Sequence, residues 1–167
     1  MEKIKLNMYI LLVLMGCAVI FQLIGLVSPY WIIFSKSNAG LWKVCQSTTS
    51  GSICVDSAGL YPDDGWLKAV RGLSIFGFIS LVVAAVMMGL KIFLFKDQKP
   101  IVIVALGTNF LGAFAILISI AVYAAKTNDL FAGKLFTYHF AFPCSILGMV
   151  TGFGVCVMLV LIVLERI

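Results

Sequence analysis

Tyr30-Trp31-Ile32-Ile33-Phe34, a Ser, Lys and Asn turn, Gly40-Leu41-Trp42-Lys43-Val44-Cys45, a polar link over residues 46–52 and Ile53-Cys54-Val55 form the stretch that decides the fold. Alternating aromatic and β-branched residues broken by small polar ones predict short antiparallel strands. Cys45 and Cys54 flank the polar link, so a disulfide between them would clip two strands across their turn. Closing a loop of this size stabilises by about 2–3 kcal/mol in the chain-entropy model, which matters in a sheet too small for a deep core. Zinc is the competing reading, but a structural zinc site needs four ligands and the single histidine, His139, lies far along the chain. A disulfide requires this stretch to face an oxidising compartment.

On both sides the chain turns apolar. Of its 167 residues, 62% are hydrophobic and 11% charged, and the mean hydropathy is +1.13. A soluble core of this size could not hide so much apolar surface. Residues 8–27, 72–95, 101–125 and 140–164 each have the roughly 20 apolar residues needed to cross a bilayer. In lipid, backbone N–H and C=O groups must pair within their own segment, so these four stretches are predicted transmembrane helices. The first exceeds the roughly 7–15 residues of a signal-peptide core and is expected to remain as helix 1. Lys91, near the end of helix 2, is expected to snorkel to the headgroups.

The connections are then residues 28–71, 96–100 and 126–139. The short Lys96 to Pro100 link makes helices 2 and 3 antiparallel neighbours, with Pro100 at a helix start. Both termini and this link share one side. Lys3, Lys5, Lys91, Lys96, Lys99 and Arg166 lie there, against Lys36, Lys43, Lys68, Arg71, Lys126 and Lys134 opposite, a tie in number; the first six crowd within far fewer loop residues, so that side is expected to be cytoplasmic, with the cysteine-bearing loop outside. Helix packing should use small residues such as Gly148 and Gly152 or Ala85 and Gly89, and hydrogen bonds from Gln22 and Asn109. Cys17, Cys144 and Cys156 fall in spans and read as small apolar side chains or as acylation sites near an end.

The net charge of +5 comes from scattered Lys and Arg, with no basic run interleaved with aromatics, so no nucleic-acid partner is expected. Asp63 and Asp64 are adjacent in a turn, where their side chains diverge and cannot flank a scissile bond. No nucleophile elbow or phosphate-cradling loop is present. Neither catalysis nor a cofactor or metal is expected. The spans hold too few ionisable groups for a transporter.

Trp31, Gly40-Leu41-Trp42, Cys45 and Cys54, with Arg71 where the loop meets helix 2, resemble the signature of the claudin superfamily. That superfamily joins tight-junction claudins with peripheral myelin protein, epithelial membrane proteins, the lens fibre membrane protein and calcium-channel gamma subunits, and this chain would be an invertebrate-like or divergent member. The resemblance covers nearly the whole chain. It implies an all-α membrane protein, a four-transmembrane-helix bundle carrying a small extracellular antiparallel β-sheet, with Trp31, Leu41 and Trp42 anchoring the sheet at the outer leaflet. The ten-residue interval between Trp31 and Trp42 is closer to the myelin and epithelial membrane branch, although no glycosylation sequon is present. A chain ending at Ile167 would lack the long tail of typical claudins.

The function this implies is a plasma-membrane protein of cell–cell contacts, contributing to adhesion and paracellular permeability. Its partners would be the lipid bilayer and further copies of itself, side by side and across cells. The alternative is an auxiliary subunit of another membrane protein. Lys36, Lys43, Asp56 and Lys68 are the charges expected to bias ion passage, but the loop charges nearly cancel and leave the selectivity open.

Overall fold

The computed structural model describes residues 2–49, 51–59, 64–94, 100–133 and 135–164. The expected link over 96–99, the turn holding Asp63, and Lys134 and Arg166 lie outside these residues, as do the side chains of Lys3 and Lys5. Four helices, α1 (Glu2–Val27), α2 (Gly65–Phe93), α3 (Pro100–Leu130) and α4 (Ala141–Leu164), are each long and apolar enough to cross a membrane. Among the described residues there are also five strands: β1 (Ile32–Phe34), β2 (Ser37–Ala39), β3 (Lys43–Thr48), β4 (Gly51–Asp56) and β5 (Thr137–Tyr138).

Each helix packs mainly on two others, α1 and α3 both lying between α2 and α4. Outward positions such as Val13, Ile20, Phe76 and Val157 are apolar and exposed, as helices solvated by lipid require. Small residues set the close approaches. A Cβ on Gly25 would collide with Ser145 of α4, and one on Gly77 would press on the Gly112 carbonyl and Ile116 of α3. Gly148 and Gly152 are spent inside the bundle, the former against Ala18 and Gln22 and the latter against Ala113. Gly89 faces open space.

Polar side chains tie the helices together. Asn109 of α3 donates to the Gly152 carbonyl at 2.7 Å and to Cys156 Sγ at 3.1 Å. Ser119 donates to the Val70 carbonyl at 3.2 Å, which leaves Ser74 as the donor in its 2.6 Å bond with Ser119. Gln22 is buried as expected, but its Oε1 finds no partner among the described residues. Lys91 departs from expectation. It is 1% exposed, because it falls on the same inward stripe of α2 as Ala84 and Met88.

Two helices outrun their apolar stretches. The helix α2 begins at Gly65, ahead of residue 72, since Leu67 and Val70 turn into the core at helical spacing while Lys68 faces water. Lys68 and Arg71 are therefore helical residues. The helix α3 continues beyond residue 125 to Leu130. Both extensions rise at the same end of the bundle, where the sheet sits.

The sheet order is β4-β3-β2-β1-β5, all antiparallel, with β5 drawn from the second long connection. The predicted Ser, Lys and Asn turn is tighter than expected: Ser35 and Lys36 make it, with Ser35 at φ 51°, and Ser37 and Asn38 already belong to β2. The polar link also shrinks, because Ser47↔Ser52 and Thr48↔Gly51 extend the β3–β4 ladder.

Candidate contact site: the disulfide-clipped sheet and its anchor

The site begins at the C-terminal end of α1. A helix leaves its last carbonyls without intrahelical donors. The main-chain N–H of Ser28 takes the Ile24 carbonyl, the Trp31 indole N–H donates to the Gly25 carbonyl at 2.6 Å, and the Trp42 indole N–H donates to the Leu26 carbonyl at 2.8 Å. Trp31 and Trp42 thus cap helix 1. Trp31 is 1% exposed and meets Tyr123 and Phe142 edge-on. It anchors the sheet from within the protein, on the core between the helices.

Gly40 has a steric reason to be glycine. A Cβ there would lie 2.5 Å from both Pro29 Cα and the Ser28 carbonyl oxygen, backbone atoms that have no side-chain freedom to yield. Leu41 next to it is fully buried, and its carbonyl accepts from Ser57 Oγ at 2.9 Å and from Arg71 Nε at 2.7 Å. Arg71 also donates through Nη2 to Asp56 Oδ1 at 2.7 Å and to Ser57 Oγ at 2.9 Å. Its guanidinium carbon stands 4.8 Å from the centre of the Trp42 ring. One arginine joins α2, the Gly40-Leu41-Trp42 turn and the end of β4.

Cys45 and Cys54 are joined and lie directly opposite in the β3–β4 ladder. Strand alternation separates two faces. Ile32, Phe34, Val44, Ile53 and Val55 share one face; Asn38, Lys43, the disulfide and Asp56 share the other. The apolar face seats Ile32 and Ala39, each 1% exposed, on the bundle core. Farther out that cover ends. Ile53 is 62% and Val55 46% exposed, and with Phe34, Ser37, Val44, Gln46 and Phe131 they line a groove of about 400 Å³.

The charges expected to act on ions are spread out. Lys68 pairs with Asp64 at 2.9 Å, and Asp56 with Arg71. The Arg71 hydrogen bond, helped by the Ala58 N–H at 2.7 Å, holds the Asp56 carboxyl below its usual range. Lys43 is exposed opposite Asp56, and Lys36 sits in the β1–β2 turn. Among the described residues, no group of three or more His, Cys, Asp or Glu side chains gathers as a metal would need.

No curated protein matches the chain. The model of the PMP-22/EMP/MP20/Claudin family matches residues 4–163, almost the full length. Together with four membrane-spanning helices and the disulfide-clipped sheet, this match places the chain in the PMP-22/EMP/MP20/Claudin family.

Proposed function

We propose that this protein acts at cell–cell contacts of the plasma membrane, its sheet outside the cell and both termini inside, supporting adhesion and a paracellular barrier. The observation that carries the reading is the overhanging β3–β4 hairpin. Its apolar face, with Ile53 and Val55 exposed, is a surface that a neighbouring molecule could cover. The disulfide supports the outward orientation, since it needs an oxidising compartment. The reading is non-enzymatic.

The test is expression of tagged chain in epithelial cells lacking their own junctional strands. The expected result is enrichment at cell contacts and altered transepithelial conductance. A diffuse surface distribution with unchanged conductance would overturn it. The two-residue β1–β2 turn, which makes the Trp31 to Trp42 interval short, favours a second reading as an auxiliary subunit of another membrane protein. That reading predicts co-purification with one larger membrane partner instead.

A further inference from the structure

We propose that the tip of the β3–β4 hairpin is a modification site, with an O-linked sugar on Thr49. The inference shares with the contact reading only the outward orientation of the sheet. Residues 46–52 read Gln-Ser-Thr-Thr-Ser-Gly-Ser, so five of the six positions 47–52 carry a hydroxyl. Ser/Thr-rich composition, usually with proline, marks segments that take O-linked sugars; here the turn does what proline would, keeping the acceptor out of a strand ladder. Thr49 is exposed and stands just beyond the last rung, Thr48↔Gly51. Thr48 spends its hydroxyl on the Gly51 carbonyl at 2.7 Å, and Ser47 and Ser52 face one another within the ladder. A transferase reaches Thr49 without opening a strand pair. Elsewhere Ser74, Ser119 and Ser145 are buried among the spans, while Ser35 and Thr137 are exposed but lie outside any such run.

The strand that follows gives a physical reason for a cover. Among the described strands, β4 forms an edge of the sheet. The Lys43 carbonyl accepts from Gly40 and the Ser47 N–H donates to Lys36, so the main chain of these residues faces away from β4. By alternation Val44 and Gln46 bond to Val55 and Ile53, which turns the main-chain groups of Ser52 and Cys54 outward along the edge. All six β4 residues are exposed. Sheet edges are commonly guarded by lysine or proline, and Gly-Ser-Ile-Cys-Val-Asp contains neither. Its one charge, Asp56, is held by Arg71. An Asn-linked sugar has no acceptor, because the chain contains no sequon. A bulky, hydrated sugar one residue past the last rung would keep a foreign strand from adding there.

The step is a glycosyl transfer from a nucleotide-activated sugar. The Thr49 hydroxyl oxygen bonds to the anomeric carbon as the bond from that carbon to the phosphate oxygen breaks. The nucleotide leaves with the electron pair, and the hydroxyl proton passes to a base of the transferase. Donor and transferase would be those of the secretory lumen, the oxidising compartment in which the Cys45–Cys54 bond forms.

The test isolates the full chain from the surface of epithelial cells and maps its peptides by mass spectrometry with fragmentation that preserves glycosidic bonds. Whole sugar residues should be found on Thr49, with Ser35 and Thr137 bare, and mild alkali should release them. Thr49→Ala should remove the addition from the peptide spanning residues 47–52, and Thr49→Ser should keep it. Surface delivery and an intact Cys45–Cys54 bond confirm that each variant has folded. A bare Thr49 in surface-delivered wild type, or a sugar that stays on that peptide in Thr49→Ala, would overturn the assignment. Enrichment at cell contacts is scored separately on the same cells. Gathering at contacts with a bare Thr49 would sink the sugar and spare the contact reading; a sugar on a chain spread evenly over the surface would do the reverse.

Discussion

The Trp42 indole N–H closes the Leu26 carbonyl at 2.8 Å across sixteen residues of sequence, so the turn that leads into β3 also finishes helix 1. Sheet and bundle are coupled through this bond and its Trp31 counterpart. Trp42→Phe keeps an aromatic ring but leaves the carbonyl without its donor, at an expected cost of about 1–3 kcal/mol. Trp42→Ala also removes the ring under Arg71 and should cost more, about 3 kcal/mol or above. Thermal unfolding in lipid nanodiscs should rank wild type above Trp42→Phe above Trp42→Ala. Equal midpoints for wild type and Trp42→Phe would show that the cap contributes nothing.

The bond between Arg71 and Asp56 predicts acid sensitivity with a definite sign. The folded carboxyl titrates below its usual 3.8, so the folded state holds fewer protons there than the unfolded state. The stabilisation is therefore complete above that usual value and is lost as pH falls through the lowered one. Because the carboxylate is exposed, salt should weaken the effect. Asp56→Asn should lower the unfolding midpoint at neutral pH and flatten its decline in acid relative to wild type. Arg71→Lys should be worse, since an ammonium cannot reproduce the planar fork that reaches Leu41, Ser57 and Asp56 together. Parallel pH profiles for wild type and Asp56→Asn would contradict the linkage.

The spans and the cysteine pair were legible because each rests on a local rule: apolar length for the helices, and strand alternation around a polar link for the disulfide. What alternation could not reveal is where a side chain points once remote segments meet. The resemblance marks Trp31 as an anchor of the sheet, but the helix-end carbonyl that its N–H finds is something no periodicity displays. Gly148 and Gly152 read as helix-packing residues by their spacing, but only the positions of α1 and α3 show which backbones they admit. Hydropathy placed the start of helix 2 at residue 72 because it measures contact with lipid. Backbone hydrogen bonds carry the helix back to Gly65, which is how Arg71 reaches the sheet from a rigid element. The groove was invisible for a different reason: Phe34, Ile53 and Phe131 come from three separate segments.

Gly40 offers a steric test with an internal control. Its missing Cβ leaves room for Pro29, whereas a Cβ on Gly59 would meet nothing within 4 Å. Gly40→Ala should destabilise by about 1–3 kcal/mol through forced backbone displacement. Gly59→Ala should be close to neutral in the same nanodisc measurement. Surface delivery in cells should follow the same order, and an equally stable Gly40→Ala protein would show that the turn can open without harm.

The final prediction concerns charge, and the ion pairs decide which residues make clean probes. Asp56→Asn would alter the field at the rim and also release Arg71, so its effect on conductance would mix two causes. Lys68→Glu would break the pair with Asp64 and set a second acid beside that N-cap residue at the start of α2. Lys36, in a turn, is freer of such coupling, whereas Lys43, exposed on the polar face of β3, stands opposite Asp56, so its reversal also sets two acids across the ladder. Lys36→Glu and Lys43→Glu should leave surface delivery intact, because exposed charges contribute little to folding. If the sheet borders a passage between cells, both reversals should raise cation over anion permeability in an epithelial layer. The shift should be largest at low ionic strength and shrink as the Debye length falls from about 30 Å at 0.01 M to about 10 Å at 0.1 M. Unchanged selectivity at low salt in both variants, with normal delivery to contacts, would mean that these lysines do not face the ion path.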